Sequence, residues 1–122
     1  MIDFDNSTYS KMKDDSSYAE KIQELLLSGE DVLNSSKSQK VGVVFTSTRV
    51  FIVNTMGMRG KKIDATCFPY KSVNHYSVET LGSFDKDIVL TIVGKHFGKV
   101  VFELHSDSNI LEISKAISQA IL

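Results

Sequence analysis

At 122 residues, 42% of them hydrophobic and 24% charged, the chain has room for one domain around one core and is too apolar for wholesale disorder. Lys and Arg number 14 against 15 Asp and Glu, a net charge of −1, which excludes the broad positive field that draws proteins onto nucleic acid or anionic membrane. A single cysteine, Cys67, excludes an intrachain disulfide and a multi-cysteine zinc site.

Residues 1–15 are polar and mixed in charge, with no apolar stretch of the secretory kind, and are expected as a mobile tail with a short docked turn around Phe4 and Tyr9. No apolar run approaches the ~20 residues that span a bilayer, so a reducing cytoplasm is the expected compartment. The domain proper is expected over 16–122. Ser17-Tyr18-Ala19-Glu20 has capping-box spacing, and Tyr18, Ile22, Leu25 and Leu26 share a helical face, which predicts a helix over 17–28 ended at Gly29.

From Asp31 the period changes. Val43 and Phe45, then Val50, Ile52 and Val53, make two β-rich runs separated by the polar Thr46-Ser47-Thr48-Arg49. Gly57 and Gly60 mark a loop, and Ile63 to Phe68 reads as a strand stopped by Pro69. Cys67, between small and apolar residues, is expected as a small core hydrophobe. Val73 to Leu81, Ile88 to Val93 and Val100 to Leu104 complete strands expected over about 32–105. No helix lies between them, so the sheet is an antiparallel meander. Asp107 or Ser108 then caps a helix over 108–121, whose stripe Ile110, Ile113, Ile117 and Ile121 must be buried across the open end of the sheet. The fold class is therefore mainly β: two curved antiparallel sheets or a barrel of about seven strands, an N-terminal helix and a C-terminal capping helix.

Few side-chain groups here carry chemistry. His75, His96 and His105 fall on separate segments without metal-ligand spacing, and no Gly-x-Ser-x-Gly elbow exists. Gly57-x-x-Gly60-Lys61-Lys62 lacks the spacing and the helix of a phosphate loop. Glu79, Asp85 and Asp87 can converge on a cation, but turn chemistry or a charge pair across a subunit contact is the favoured reading. Arg59, Lys61, Lys62 and Lys71 form a basic group suited to an anion or to the acidic group of a neighbouring copy. No acid–base or nucleophile pair emerges, so the chain is expected to be no enzyme, with no metal and no cofactor.

Leu26-Leu27-Ser28-Gly29-Glu30, Val44-Phe45-Thr46-Ser47-Thr48-Arg49, Met56-Gly57-Met58-Arg59-Gly60-Lys61-Lys62, Phe68-Pro69-Tyr70-Lys71-Ser72-Val73 and the stretch Tyr76 to Asp87 follow one another in the order of the bacterial PH domain family, which the chain resembles over about residues 22–121. The resemblance implies a pleckstrin-homology-like barrel and a tendency to ring-like homo-oligomers. Two positions depart from it: Lys40-Val41 stands where relatives often have Arg-Asp, and Val93 where they often have tryptophan. Eukaryotic PH domains usually hold phosphoinositides with a Lys-x-Arg pattern in the first hairpin, and Ser35-Ser36-Lys37-Ser38-Gln39-Lys40 has no arginine.

The function these features support is a PH-like module acting by protein–protein contact. Its expected partner is a second copy, with another protein also possible; the oppositely charged loops would meet head to tail. The alternative is an anionic phospholipid headgroup or other phosphorylated ligand on Arg59, Lys61, Lys62 and Lys71. Nucleic acid is not an expected partner, since interleaved aromatics and net positive charge are both lacking.

Overall fold

The computed structural model describes residues 1–39, 41–57, 62–80, 87–105 and 108–122. Seven longer strands follow the expected order: β3 (Val32–Ser38), β4 (Val41–Thr46), β5 (Arg49–Met56), β6 (Lys62–Pro69), β7 (Val73–Thr80), β8 (Ile88–Gly94) and β9 (Lys99–Leu104). Two short ones, β1 (Thr8–Tyr9) and β2 (Lys13–Asp14), precede them, with helix α1 (Ser17–Lys21) between β2 and β3 and helix α2 (Ile110–Ile121) at the end. The strands form two sheets, in the orders β1-β9-β8-β7 and β2-β3-β4-β5-β6. This is the expected mainly-β, two-sheet architecture. The barrel does not close, because β6 and β7 are the outermost strands of different sheets and pair only with β5 and β8.

Val43, Phe45, Val50, Ile52 and Phe68 face Leu90, Ile92, Val100, Phe102 and Leu104 across the sandwich. Alpha-helix α2 lays Ile113 and Ile117, both fully buried, onto this core, with Ile110 and Ile121 partly buried beside them. The amphipathic stripe is therefore used as expected. Strands β4 and β5 read as nearly continuous apolar runs for a different reason. Their second face is also covered: Val44, Phe51 and Val53 pack under Tyr18 and Ile22. The Tyr18 ring lies directly on Gly42, where a Cβ would stand 2.1 Å from ring carbons. Only glycine allows that approach.

Several expectations give way. Residues 1–15 are not a free tail. Thr8 and Tyr9 pair in parallel with Val101 and Phe102, Lys13 and Asp14 pair antiparallel with Lys37 and Ser36, and Met12 is buried with its N–H on the Glu103 carbonyl at 3.1 Å. One segment is thus the outermost strand of both sheets, and the β1–β9 pairing is parallel in an otherwise antiparallel fold. Apolar Ile2, Phe4, Tyr9 and Met12, spaced for no regular period, drive this docking.

The helix expected over 17–28 stops at Lys21, passes through a 3-10 turn at Gln23–Leu25 and is extended by Leu26. Tyr18 and Ile22 are buried on the sheet with Ala19 and Leu26 partly buried beside them, while Leu25 and Leu27 stay exposed. The capping box does not form either. Asp15 Oδ1 accepts from the Ser17 backbone N–H at 2.8 Å and from its hydroxyl, an Asx arrangement that occupies the serine. At α2 neither expected residue caps. Asn109, in the left-handed region at φ 65°, precedes the helix and spends its side-chain N–H on the Leu33 carbonyl at 3.0 Å; Ser108 is buried with its Oγ unpartnered among the described residues, and Asp107 lies outside them. Cys67 is exposed, not a core residue. Strand alternation places Phe68 inward and Cys67 outward, beyond the reach of α1.

Candidate functional site

Glu30 follows a turn in which its N–H bonds the Leu27 carbonyl at 3.0 Å and Gly29 takes φ +82°, the left-handed value that this position of a type II turn demands. The turn aims the Glu30 carboxylate into the β4–β5 connection. Oε2 accepts from Thr46 Oγ1 at 2.6 Å, Thr48 Oγ1 at 3.0 Å and Arg49 Nε at 2.9 Å; Oε1 accepts from Arg49 Nη2 at 2.9 Å and the Leu27 N–H at 3.0 Å. The Glu30 side chain is 2% exposed and that of Arg49 22%. The Arg49 fork beside it holds the Glu30 carboxyl at about 2, well below the ordinary 4.5, against the opposing pull of burial. Arg49 is in turn raised, chiefly by Glu30. Its remaining donors reach the Leu25 carbonyl at 2.8 Å and Cys67 Sγ at 3.7 Å, and its plane lies 4.5 Å over Phe51. Four of the five N–H groups of this arginine are thus engaged inside the chain, and its charge is matched by Glu30.

The pair fastens more than itself. Thr46 also receives the Thr48 and Arg49 N–H groups on its hydroxyl, and its carbonyl accepts the buried Tyr70 hydroxyl at 2.6 Å. Burial pushes the Tyr70 phenol up, so it stays a donor. Tyr70 N–H reaches the Thr48 carbonyl at 2.9 Å, which locks the 3-10 turn Tyr70–Ser72 against the β4–β5 turn. Beside this wall lies a cleft of about 470 Å³, lined by Leu27, Pro69, Ala116 and Ala120 with Ser47, Thr48, Arg49, Lys71 and Gln119.

A second open surface is the edge of β7. Eight residues long, it bonds β8 on one side and, among the described residues, has no strand on the other, while its Tyr76 hydroxyl meets α2 at Ser118 Oγ, 2.6 Å, and the Ser114 carbonyl, 3.3 Å. Residues 74, 75 and 77–80 are exposed, Val78 to 40% although it pairs with buried Leu90 on the inner face. The strand contains no proline and no lysine, the usual means of blunting an edge.

The residues singled out from sequence are dispersed. Arg59, Lys61 and Asp85 lie outside the described residues. Lys62 opens β6 and Lys71 follows its end, so roughly 25 Å of strand separates them; the structure does not bring these two together. Glu79, on β7 opposite Val89, and Asp87, two residues before Val89, share the outer face as diagonal neighbours. Among the described residues no group of three or more His, Cys, Asp or Glu could hold a metal ion, and no helix is long and apolar enough to cross a membrane. His75 and His96 are exposed, on β7 and in the β8–β9 loop, and His105 follows β9. Glu30 and Arg49 went unnoticed as a pair because 19 residues separate them; the available signal was that each closes one of the family-like stretches.

The model of the family described as bacterial PH domain matches residues 3–121. An uncharacterised protein of Bacillus subtilis, YjqA, is 35% identical over 101 residues, 81% of each chain. Two solved structures are similar. A DUF1696 family protein with a pleckstrin-homology domain from Shewanella loihica is 27% identical, with a TM-score of 0.66 over 88% of this chain and 92% of that one. A pleckstrin homology domain from Shewanella amazonensis is 30% identical, with a TM-score of 0.56 over 88% and 87%. A PH-domain-containing protein from Exiguobacterium sibiricum shares the fold at 15% identity, with a TM-score of 0.65 over 91% of this chain and 62% of that one. By the near-complete match of the family model and by its strand order, this chain belongs to the bacterial PH domain family.

Proposed function

We propose that the chain is a non-enzymatic PH-like interaction module that associates with copies of itself, and that β7 is the strand through which it does so. The observation that carries this reading is the unpaired edge: a strand of eight residues with no strand beyond it among the described residues and with Val78 40% exposed. Such an edge is a ready template for a second strand.

The side chains favour a two-fold arrangement. An antiparallel pairing centred on Ser77 sets Asn74 opposite Thr80, His75 opposite Glu79 and Tyr76 opposite Val78 of the second copy, each contact made twice. The outer face gains two His–Glu pairs, and the inner face covers Val78 with Tyr76. A register centred on Glu79 instead opposes like charges. Glu79 thus keeps the interface role expected of it, with His75 in place of the basic loop.

The alternative, a phosphorylated headgroup held jointly by Arg59, Lys61, Lys62 and Lys71, draws no support from the separation of Lys62 and Lys71 along β6. Sedimentation velocity at two salt concentrations tests the proposal. The wild type sediments as an oligomer; His75→Glu dissociates it, and the double substitution His75→Glu/Glu79→Lys restores it. A strict monomer at both salt concentrations, or association indifferent to His75→Glu, overturns it.

A further inference from the structure

We infer that the cleft between α2 and the β4–β5 turn binds a small single-chain amphiphile with a carboxylate head, its apolar body against Leu27, Pro69, Ala116 and Ala120 and its head on Lys71. This inference is independent of the β7 edge, which shares no residue with the cleft.

Shape and rigidity come first. The cleft volume of about 470 Å³ falls within the range of small-ligand sites, roughly 300–1,000 Å³. One wall is the turn pinned by Glu30, Arg49, Thr46 and Tyr70, so it is formed before any ligand arrives. The opposite wall is helical, with the small side chains of Ala116 and Ala120 one turn apart leaving the depression. Leu27 stands at the rim with 69% of its surface in water, although it is not needed to cover α1 or either sheet. An apolar ligand gives that side chain a partner, with a gain of about 25 cal/mol per Å² of apolar surface removed from water.

Charge selects the head group. Arg49 lines the cleft, but Glu30 matches its charge and holds two of its donors, and Leu25 and Cys67 take two more, so no guanidinium fork is free. The cation that remains is Lys71, exposed and without a hydrogen bond or ion pair among the described residues. Ser47 accepts the Asp31 N–H on its Oγ at 3.1 Å and keeps its own proton to donate, and the Gln119 amide is unengaged among the described residues. One ammonium and two neutral donors match a monoanionic carboxylate. A phosphate group favours several cations or a free guanidinium fork, which this cleft does not offer. The walls are a helix, a 3-10 turn and a closed turn, and the edge strand β6 reaches the cleft only at Pro69, which has no N–H, so a peptide backbone would enter with its polar groups unmatched.

The test uses the intact chain, backbone amide NMR and three probes with eight-carbon chains: octanoate and octyltrimethylammonium below their micellar concentrations and 1-octanol below its solubility limit. Octanoate produces saturable shifts at Leu27, Ser47, Thr48, Lys71 and residues 116–120, and binds roughly tenfold more tightly than the cationic probe. Lys71→Glu, an exposed change that leaves the fold intact, removes that preference, while Lys71→Arg retains it. Vesicles of anionic phospholipid form a separate arm and leave these amides unshifted. The inference is overturned by no saturable shift below the micellar concentration, by equal affinity for the three probes, by indifference to Lys71→Glu, or by a cleft that responds to vesicles and not to octanoate.

Discussion

The two sides of the sandwich treat their strand edges in opposite ways. On one, residues 1–15 cross from β9 to β3, add a short strand to each sheet and bury Met12 between them. On the other, β6 is partly shielded, since Ile2 donates its N–H to Thr66 Oγ1 at 2.9 Å and the Phe4 ring lies tilted 5.0 Å from Phe68, whereas β7 is held to α2 through Tyr76 but, among the described residues, has no strand on its outer edge. The N-terminal segment adds a paired strand to each sheet at one seam and lays only side chains and one N–H on β6 at the other. An edge strand is an aggregation liability that proteins manage explicitly, and this contrast between the two seams is what the proposed β7 contact rests on.

Substitutions at fastenings should therefore change stability, and substitutions on β7 should change association. The largest stability effect is expected for Arg49→Leu, which leaves the buried Glu30 side chain, 2% exposed, without its guanidinium: a loss of about 3 kcal/mol, read from urea unfolding. The same pair sets an acid limit. Glu30 has its ordinary value of 4.5 when unfolded and about 2 when folded, so its contribution is fully present above about pH 4.5 and is lost as pH falls through 2. Asp15, lowered by its hydrogen bonds from Ser17, acts in the same direction. Glu30→Gln should flatten the decline in urea midpoint between pH 5 and pH 2.

Next in size is Met12→Ala, expected to cost about 2–3 kcal/mol because the side chain is buried where the two sheets are laced together. An unchanged urea midpoint would show residues 1–15 to be the loose tail that their composition suggests. Tyr70→Phe removes the buried bond to the Thr46 carbonyl and should cost about 1–2 kcal/mol, measured the same way. Smallest is His75→Glu, exposed on β7, with a stability change within about 0.5 kcal/mol and its whole effect in the sedimentation coefficient.

Regular elements were legible before the structure because their signals are local. The runs Ile88 to Val93 and Val100 to Leu104, the stop at Pro69 and the isoleucine stripe of α2 all reappear within a residue or two. What escaped was fixed by distant parts of the chain. Two-residue strands have no period to detect, and β1 pairs with β9 across some 90 positions. Length of the first helix was set by how much of it Val44, Phe51 and Val53 could cover. Cys67 was misjudged from its neighbours, when its facing depended on strand parity. Site features were less legible still: Glu30 and Arg49 meet only once two turns are folded, and the cleft draws on four separate segments.

The claim that β7 is a contact edge is tested most directly by amide hydrogen exchange at high and low protein concentration. Protection of alternate β7 amides between Asn74 and Thr80, those that point away from β8, should rise with concentration, while the amides of β1 and β2 should not change. Association without added protection on β7 would contradict the account.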